Sequence, residues 1–244
     1  MDQSPGRLLV LGGAISLLED FDLQLPMSRP LVAKQQIIAR ADHLLNAKDV
    51  RDYQGQAAVA ALTAPLNRGI IDVGTGGGKT RICATIAALA GSAGYGRWLY
   101  VVQNKALATQ SENAFLGLVK MMAKTLDFPA SDVSIRATTY AGIKKLTARE
   151  RDVDGVMVDE CHLIPAPTRS LEYAKVRAHW RIGLSGTALD RQDAGNIVVI
   201  GLLGGVVFSA GVGELTKNGY LSQGSVQTVT YDHGVGRIVG GDNE

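Results

Sequence analysis

Two short strings in this chain carry residue types suited to phosphate chemistry. The first, VGTGGGKT, spans residues 73–80. Gly74, Thr75, Gly76, Gly77 and Gly78 allow the backbone to fold so that several N–H groups converge into an anion nest. A helical pattern begins at Lys79, and a helix N-terminus adds partial positive charge to that nest. Lys79 supplies a point charge for a polyphosphate, Thr80 offers a hydroxyl to a magnesium ion, and Arg81 follows on the same helix turn. The second string is Asp159, Glu160, Cys161 and His162, beginning 80 residues after Lys79. Asp159 can hold magnesium through water, and Glu160 can orient and polarise a water for attack on a terminal phosphate. His162 can sense both the nucleotide and a moving neighbour. Each string alone has a plainer reading: a glycine turn before a helix, or an acidic turn capping one. In this order and spacing, ATP and Mg2+ are the expected ligands.

Such chemistry needs both strings at one rim of a sheet. Residues 70–73, 98–102, 133–138, 155–158 and 181–184 read as short apolar strands without clean alternation, as expected when helices cover both faces. Residues 79–90, 105–124 and 141–149 read as helices. The succession predicts an α/β fold with a doubly wound, mostly parallel sheet, whose ligands bind at the carboxyl ends of the strands. Before residue 50 the pattern differs. Residues 8–11 and 14–18 flank Gly12 and Gly13, a hairpin signal, and residues 22–25 suggest a third short strand. Pro30 then opens a helical pattern over 31–45. Residues 1–49 therefore read as a small β/α accessory segment.

These strings resemble the motifs of superfamily-two DExH-box helicases and translocases, over residues 51–221. The string RDYQ, from Arg51 to Gln54, resembles the Q motif, and the resemblance implies that Gln54 reads the adenine edge, which a glutamine amide can do. The VGTGGGKT string is similar to motif I in its helicase form, where a small or apolar residue stands in the place of Val73. Residues 101–110 resemble motif Ia, with Gln103 and Asn104 replacing the usual Pro and Thr. Thr138, Thr139 and Tyr140 resemble a string that touches the nucleic-acid backbone. DECH is similar to motif II, and the GLSGTA string at 183–188 to motif III, with Gly186 and Ala188 replacing Ala and Pro. Residues 202–221 resemble the stretch that ends the first motor lobe in the UvsW-like and restriction-translocase groups.

The resemblance implies a RecA-like P-loop NTPase lobe over residues 50–222, with residues 223–244 beginning a linker. It implies ATP hydrolysis coupled through Ser185 and Thr187, and nucleic-acid contacts at Asn104, Lys105, Thr138, Thr139 and Tyr140. DNA or RNA is the implied partner, with DNA favoured by the tail. A second RecA-like lobe, in cis or in trans, is expected to supply arginines across the cleft, so the chain alone is expected to turn over slowly. A nucleotide switch without significant turnover is the alternative. The string at His233–Arg237 imitates part of an arginine-finger motif but lacks its flanking arginines.

The bulk properties fit without adding to this. In 244 residues, 46% are hydrophobic and 20% charged, enough for a sizeable core. A net charge of +2 neither requires nor excludes nucleic acid. The two cysteines, Cys83 and Cys161, form no metal-ligand spacing and read as reduced thiols of a cytoplasmic protein. The apolar stretch at residues 8–18 is too short to span a bilayer and has no signal-peptide cleavage site, so no membrane partner is expected. Trp98 and Trp180 read as core residues.

Overall fold

The computed structural model describes residues 34–187, 189 and 195–222. Six strands form one sheet: β1 (Arg68–Val73), β2 (Arg97–Val102), β3 (Ser134–Thr139), β4 (Asp152–Asp159), β5 (Arg177–Ser185) and β6 (Val206–Ala210). Their spatial order is β3-β2-β4-β5-β1-β6, and every pairing is parallel. The helices are α1 (Lys34–Asn46), α2 (Asp52–Leu62), α3 (Lys79–Gly91), α4 (Lys105–Thr125), α5 (Tyr140–Ile143), α6 (Ala148–Arg151), α7 (Pro167–Ala174), α8 (Gly195–Leu203) and α9 (Val212–Lys217).

Successive strand residues feed two separate cores, because side chains alternate across a sheet. Ile71, Trp98, Tyr100, Met157, Ile182 and Leu184 face one core, which α1 to α4 complete. Ile70, Leu99, Val101, Val156 and Val158 face the other, completed by residues of α5, α7 and α8. Burial on both faces is why these strands read as apolar runs rather than alternating ones.

The expected sheet is therefore present, with differences at its margins. The strand β4 begins three residues before the expected start, and β5 four, because charged residues there interrupt the apolar run. The edge strand β6 carries no motif and was not expected. The helix expected over residues 141–149 is two short helices instead. Thr147 breaks it: its hydroxyl accepts from the Glu150 N–H at 3.3 Å, while Glu150 accepts from the Thr147 N–H at 2.8 Å, a capping box that starts α6. Within the segment read as accessory, α1 places Ile37, Ala41 and Leu44 in the same core as α2 and α3. The expected hairpin, the strand at 22–25 and the string at 233–237 lie outside the described residues. No helix among the described residues is long and apolar enough to cross a membrane.

Trp98 and Trp180 are core residues, stacked with ring centroids 6.0 Å apart. Each indole N–H is satisfied, Trp98 by the Tyr95 carbonyl at 3.0 Å and Trp180 by the Leu62 carbonyl at 3.2 Å. The Trp98 ring lies directly over Gly155, where an added Cβ would overlap it. Replacing Gly155 by valine is expected to destabilise the fold by roughly 1–3 kcal/mol or more through overpacking. Urea unfolding checks this as a lower midpoint at unchanged slope.

Candidate nucleotide site

The strands β1, β4 and β5 deliver their last residues side by side. Asp72 lies opposite Ser185, and Asp159 opposite Leu184. Beyond β1 the glycine loop folds back over Val73, which is fully buried. A Cβ on Gly77 would overlap the Val73 side chain, so an apolar residue at 73 forms the floor of the loop. Gly76 and Gly78 have φ of 81° and 73°, which a residue with a Cβ adopts only at a cost. Gly186, which replaces the usual alanine, packs against the loop: a Cβ there would lie 3.3 Å from the Gly74 Cα.

The acidic pair meets this loop. The Lys79 ammonium is 3.3 Å from Glu160 Oε1. Glu160 sits in the left-handed region, at φ 48° and ψ 54°, a conformation that costs a non-glycine residue free energy and recurs at functional sites. Its other oxygen lies 3.4 Å from both His162 Nδ1 and Ser185 Oγ. His162 Nδ1 is 2.9 Å from the same Ser185 hydroxyl, which accepts from the Thr187 N–H at 3.1 Å. A serine hydroxyl has one proton and two lone pairs. If it donates to Glu160, His162 must present Nδ1–H to it, so the network selects a tautomer.

Asp159 lies deeper. Its Oδ1 is buried without a hydrogen-bond partner. Burial, and then the Glu160 charge, hold its carboxyl above the ordinary carboxylate range, while Lys79 and the Tyr100 hydroxyl oppose the rise. A buried carboxylate oxygen without a partner, close enough to Lys79 to feel its charge, has the chemistry of a ligand for a hard cation such as magnesium.

A cavity of about 370 Å³ opens beside the loop, lined by Lys48, Asp49, Val50, Arg51, Gln54, Gly76, Gly78 and Arg81. Gln54 is only 3% exposed. Its Oε1 accepts from the Arg51 N–H at 3.1 Å, and its Nε2 donates to the Tyr53 hydroxyl at 3.3 Å. Tyr53 in turn donates to the Gly77 carbonyl at 2.8 Å, so the RDYQ string is bonded to the glycine loop. One lone pair and one N–H of the Gln54 amide remain for a base edge. The guanidinium of Arg81 donates to the Asp49 carbonyl, and that of Arg51 to the Tyr220 carbonyl at 2.9 Å.

The expected nucleic-acid residues separate into two groups. Asn104, Lys105, Thr138 and Thr139 sit at or just beyond the carboxyl ends of β2 and β3. Asn104 and Thr139 also cap helices, accepting from the N–H groups of Leu107 at 2.9 Å and Gly142 at 3.0 Å. Tyr140 is placed differently: α5 starts there and turns its ring into the second core beneath the Arg169 guanidinium, leaving it 6% exposed. Sequence reasoning missed Tyr53, Tyr100 and Tyr220, which brace the site. Tyr53 and Tyr220 fall within strings that resemble family motifs, but their partners lie far away in sequence, so no local pattern assigns them a role.

A parallel sheet carrying a glycine loop, an acidic pair and a hydroxyl-bearing third strand end at one rim defines a RecA-like lobe of the helicase kind. Residues 47–190 match the family described as Type III restriction enzyme, res subunit, and the chain belongs to that family. A search of the curated proteins finds no match. Among solved structures, a nuclease-deletion mutant of the Type ISP restriction-modification enzyme LlaGI, in complex with a DNA substrate mimic, is similar at a TM-score of 0.55 and 18% identity, over 70% of this chain and 20% of that one. The UvsW helicase from Bacteriophage T4 is similar at a TM-score of 0.50 and 21% identity, over 64% of this chain and 58% of that one. At these identities the likeness is one of fold.

Both cysteines are buried beside the rim. Burial and then the neighbouring Glu160 carboxylate push the Cys161 thiol up to about 12, and burial pushes Cys83 well up. Since the thiolate is the reactive form, neither should react with Ellman's reagent at pH 8 in the folded chain, and both should react in denaturant. The Asp159 shift has a definite sign too. A carboxyl raised on folding costs stability increasingly as pH rises through its folded value, so Asp159→Asn should raise the thermal midpoint of the metal-free chain at neutral pH. A lower midpoint would show that the carboxylate is held favourably in that state.

Proposed function

We propose that this chain is the ATP-binding and ATP-hydrolysing lobe of a nucleic-acid motor, with DNA the favoured track. The observation that carries the reading is the convergence of Lys79, Glu160 and the orphaned Asp159 oxygen below the glycine loop. In this reading the loop and Lys79 cradle the β- and γ-phosphates. Thr80 and Asp159 would hold a magnesium ion, whose charge would offset that of the phosphates. Glu160 is the group that orients the attacking water. With a γ-phosphate present, Lys79 has a stronger partner than Glu160, and the carboxylate becomes free to take that water. Glu160 shares the Ser185 hydroxyl with His162 and Thr187, so any movement of Glu160 is transmitted to the end of β5. That is the coupling role proposed for Ser185 and Thr187. Gln54, Arg51 and Arg81 border the cavity that would take the base.

DNA is favoured because the family is that of a restriction-enzyme subunit and because the LlaGI structure contains a DNA substrate mimic. Asn104, Lys105, Thr138 and Thr139 are the proposed backbone contacts. A second RecA-like lobe, in cis or from a partner chain, would close the cleft from the opposite side. Residues 50–222 are proposed as the lobe, with 1–49 accessory to it and 223–244 a linker. The binding of a cytoplasmic nucleotide suits reduced, buried thiols.

The test is phosphate release by the purified chain, with and without single- and double-stranded DNA or RNA. Lys79→Ala is expected to weaken nucleotide binding by roughly 10–100-fold, the weight of a lost charge-assisted contact. Glu160→Gln is expected to keep nucleotide binding and to lose turnover by a factor of about 10²–10⁴. Unchanged turnover in Glu160→Gln would remove Glu160 from this role, and binding without any turnover in the parent chain would make the lobe a nucleotide switch.

A further inference from the structure

The segment that closes the described chain, residues 212–222, wraps the outer side of the glycine loop. Three of its side chains meet three of the four glycines there. A Cβ on Gly74 would meet Val212, one on Gly77 would lie 3.0 Å from Leu215, and one on Gly76 would lie 3.2 Å from Leu221. The helix α9 ends in a reversal at Gly219, which has φ 73°. The Tyr220 N–H returns to the Leu215 carbonyl at 2.8 Å and the Gly219 N–H to the Thr216 carbonyl at 3.0 Å, a Schellman cap, and the Leu221 N–H also reaches the Leu215 carbonyl at 3.2 Å. This turn carries Tyr220 back onto the RDYQ string. Its ring centroid is 4.9 Å from that of Tyr53, and the Arg51 guanidinium stands 5.4 Å over it while donating to its carbonyl.

The chain of contacts is continuous. Tyr220 braces Tyr53, and the Tyr53 hydroxyl holds the Gly77 carbonyl of the loop. Tyr220 also fixes Arg51, which lines the cavity. Any change in the shape of the loop or in the seat of Arg51 must be felt at residues 219–222, and the coupling is reciprocal as a matter of thermodynamics.

We propose that Tyr220 is a positioning residue for the nucleotide site, and that residues 219–222 form a strap which transmits nucleotide occupancy to the chain beyond it. The proposal rests on the nucleotide-binding reading above. It extends that reading by assigning Arg51 to the strap rather than to the nucleotide. Arg51 orders the cavity wall through Tyr220.

The experiment uses the full chain and a fluorescent ATP analogue. Tyr220→Ala is expected to weaken binding of the analogue by about three- to tenfold, the weight of one aromatic and one cation–π contact, and Tyr220→Phe to restore it. A second measurement leaves Tyr220 in place. Ser222→Cys adds an exposed thiol to a chain whose two native thiols are buried. Alkylation of that thiol should change severalfold in rate when the analogue and Mg2+ are added. Equal analogue affinity in Tyr220→Ala, or an alkylation rate indifferent to nucleotide, overturns the strap while leaving nucleotide binding intact. If the parent chain does not bind the analogue at all, the nucleotide reading fails and the strap fails with it.

Discussion

A parallel sheet forces every strand to deliver its last residue to one rim, and the site exists because of that constraint. Val73, Val102, Thr139, Asp159 and Ser185 end strands that are far apart in sequence yet adjacent in the order β3-β2-β4-β5-β1. Nothing local brings Lys79 within 3.3 Å of Glu160. The pairing of β4 with β5, and of β5 with β1, does so. The strands hold their register because both faces are buried, and a slip of one residue would exchange the two cores.

That rigidity lets the rim carry groups that would otherwise be expelled from a protein interior. Asp159 presents a buried oxygen without a partner, Glu160 occupies a left-handed conformation, and two carboxylates stand side by side. Each feature costs stability. The helices on both sides offset the cost through dense apolar packing, with Ile70, Ile71, Ile82 and Ile86 fully shielded close behind the loop. The arrangement suits a site that a metal and a polyphosphate would complete, because a cation would take the partnerless Asp159 oxygen as a ligand and offset the charge of the two carboxylates.

Much of this was legible in the sequence, for a physical reason. Phosphate and metal chemistry restricts residue type at fixed spacing, so VGTGGGKT and DECH announce themselves, and strands buried on both faces announce themselves as apolar runs. The misses came where tertiary partners decide. The charged starts of β4 and β5 hid their boundaries, and the Thr147–Glu150 capping box split what read as one helix. Tyr140 follows Thr138 and Thr139 at the rim, but only the fold shows that the first turn of α5 directs its ring into the core. Tyr53 and Tyr220 are 167 residues apart in sequence, and only the folded chain shows that their rings meet.

The glycine loop is packed from several sides at once, although Thr75 and Gly76 stay exposed. Val73 is its floor, Gly186 its flank, and Val212, Leu215 and Leu221 its back, while Tyr53 holds a carbonyl from the RDYQ side. A loop with four glycines would, if free, lose much conformational entropy on closing around an anion. Here folding has already removed most of that freedom, so the cost falls on the fold rather than on ligand binding. The same packing means that the loop cannot rearrange alone. Its floor belongs to β1, its flank to the end of β5 and its back to the chain leaving the lobe, so a change at the phosphate site reaches three separate parts of the structure at once.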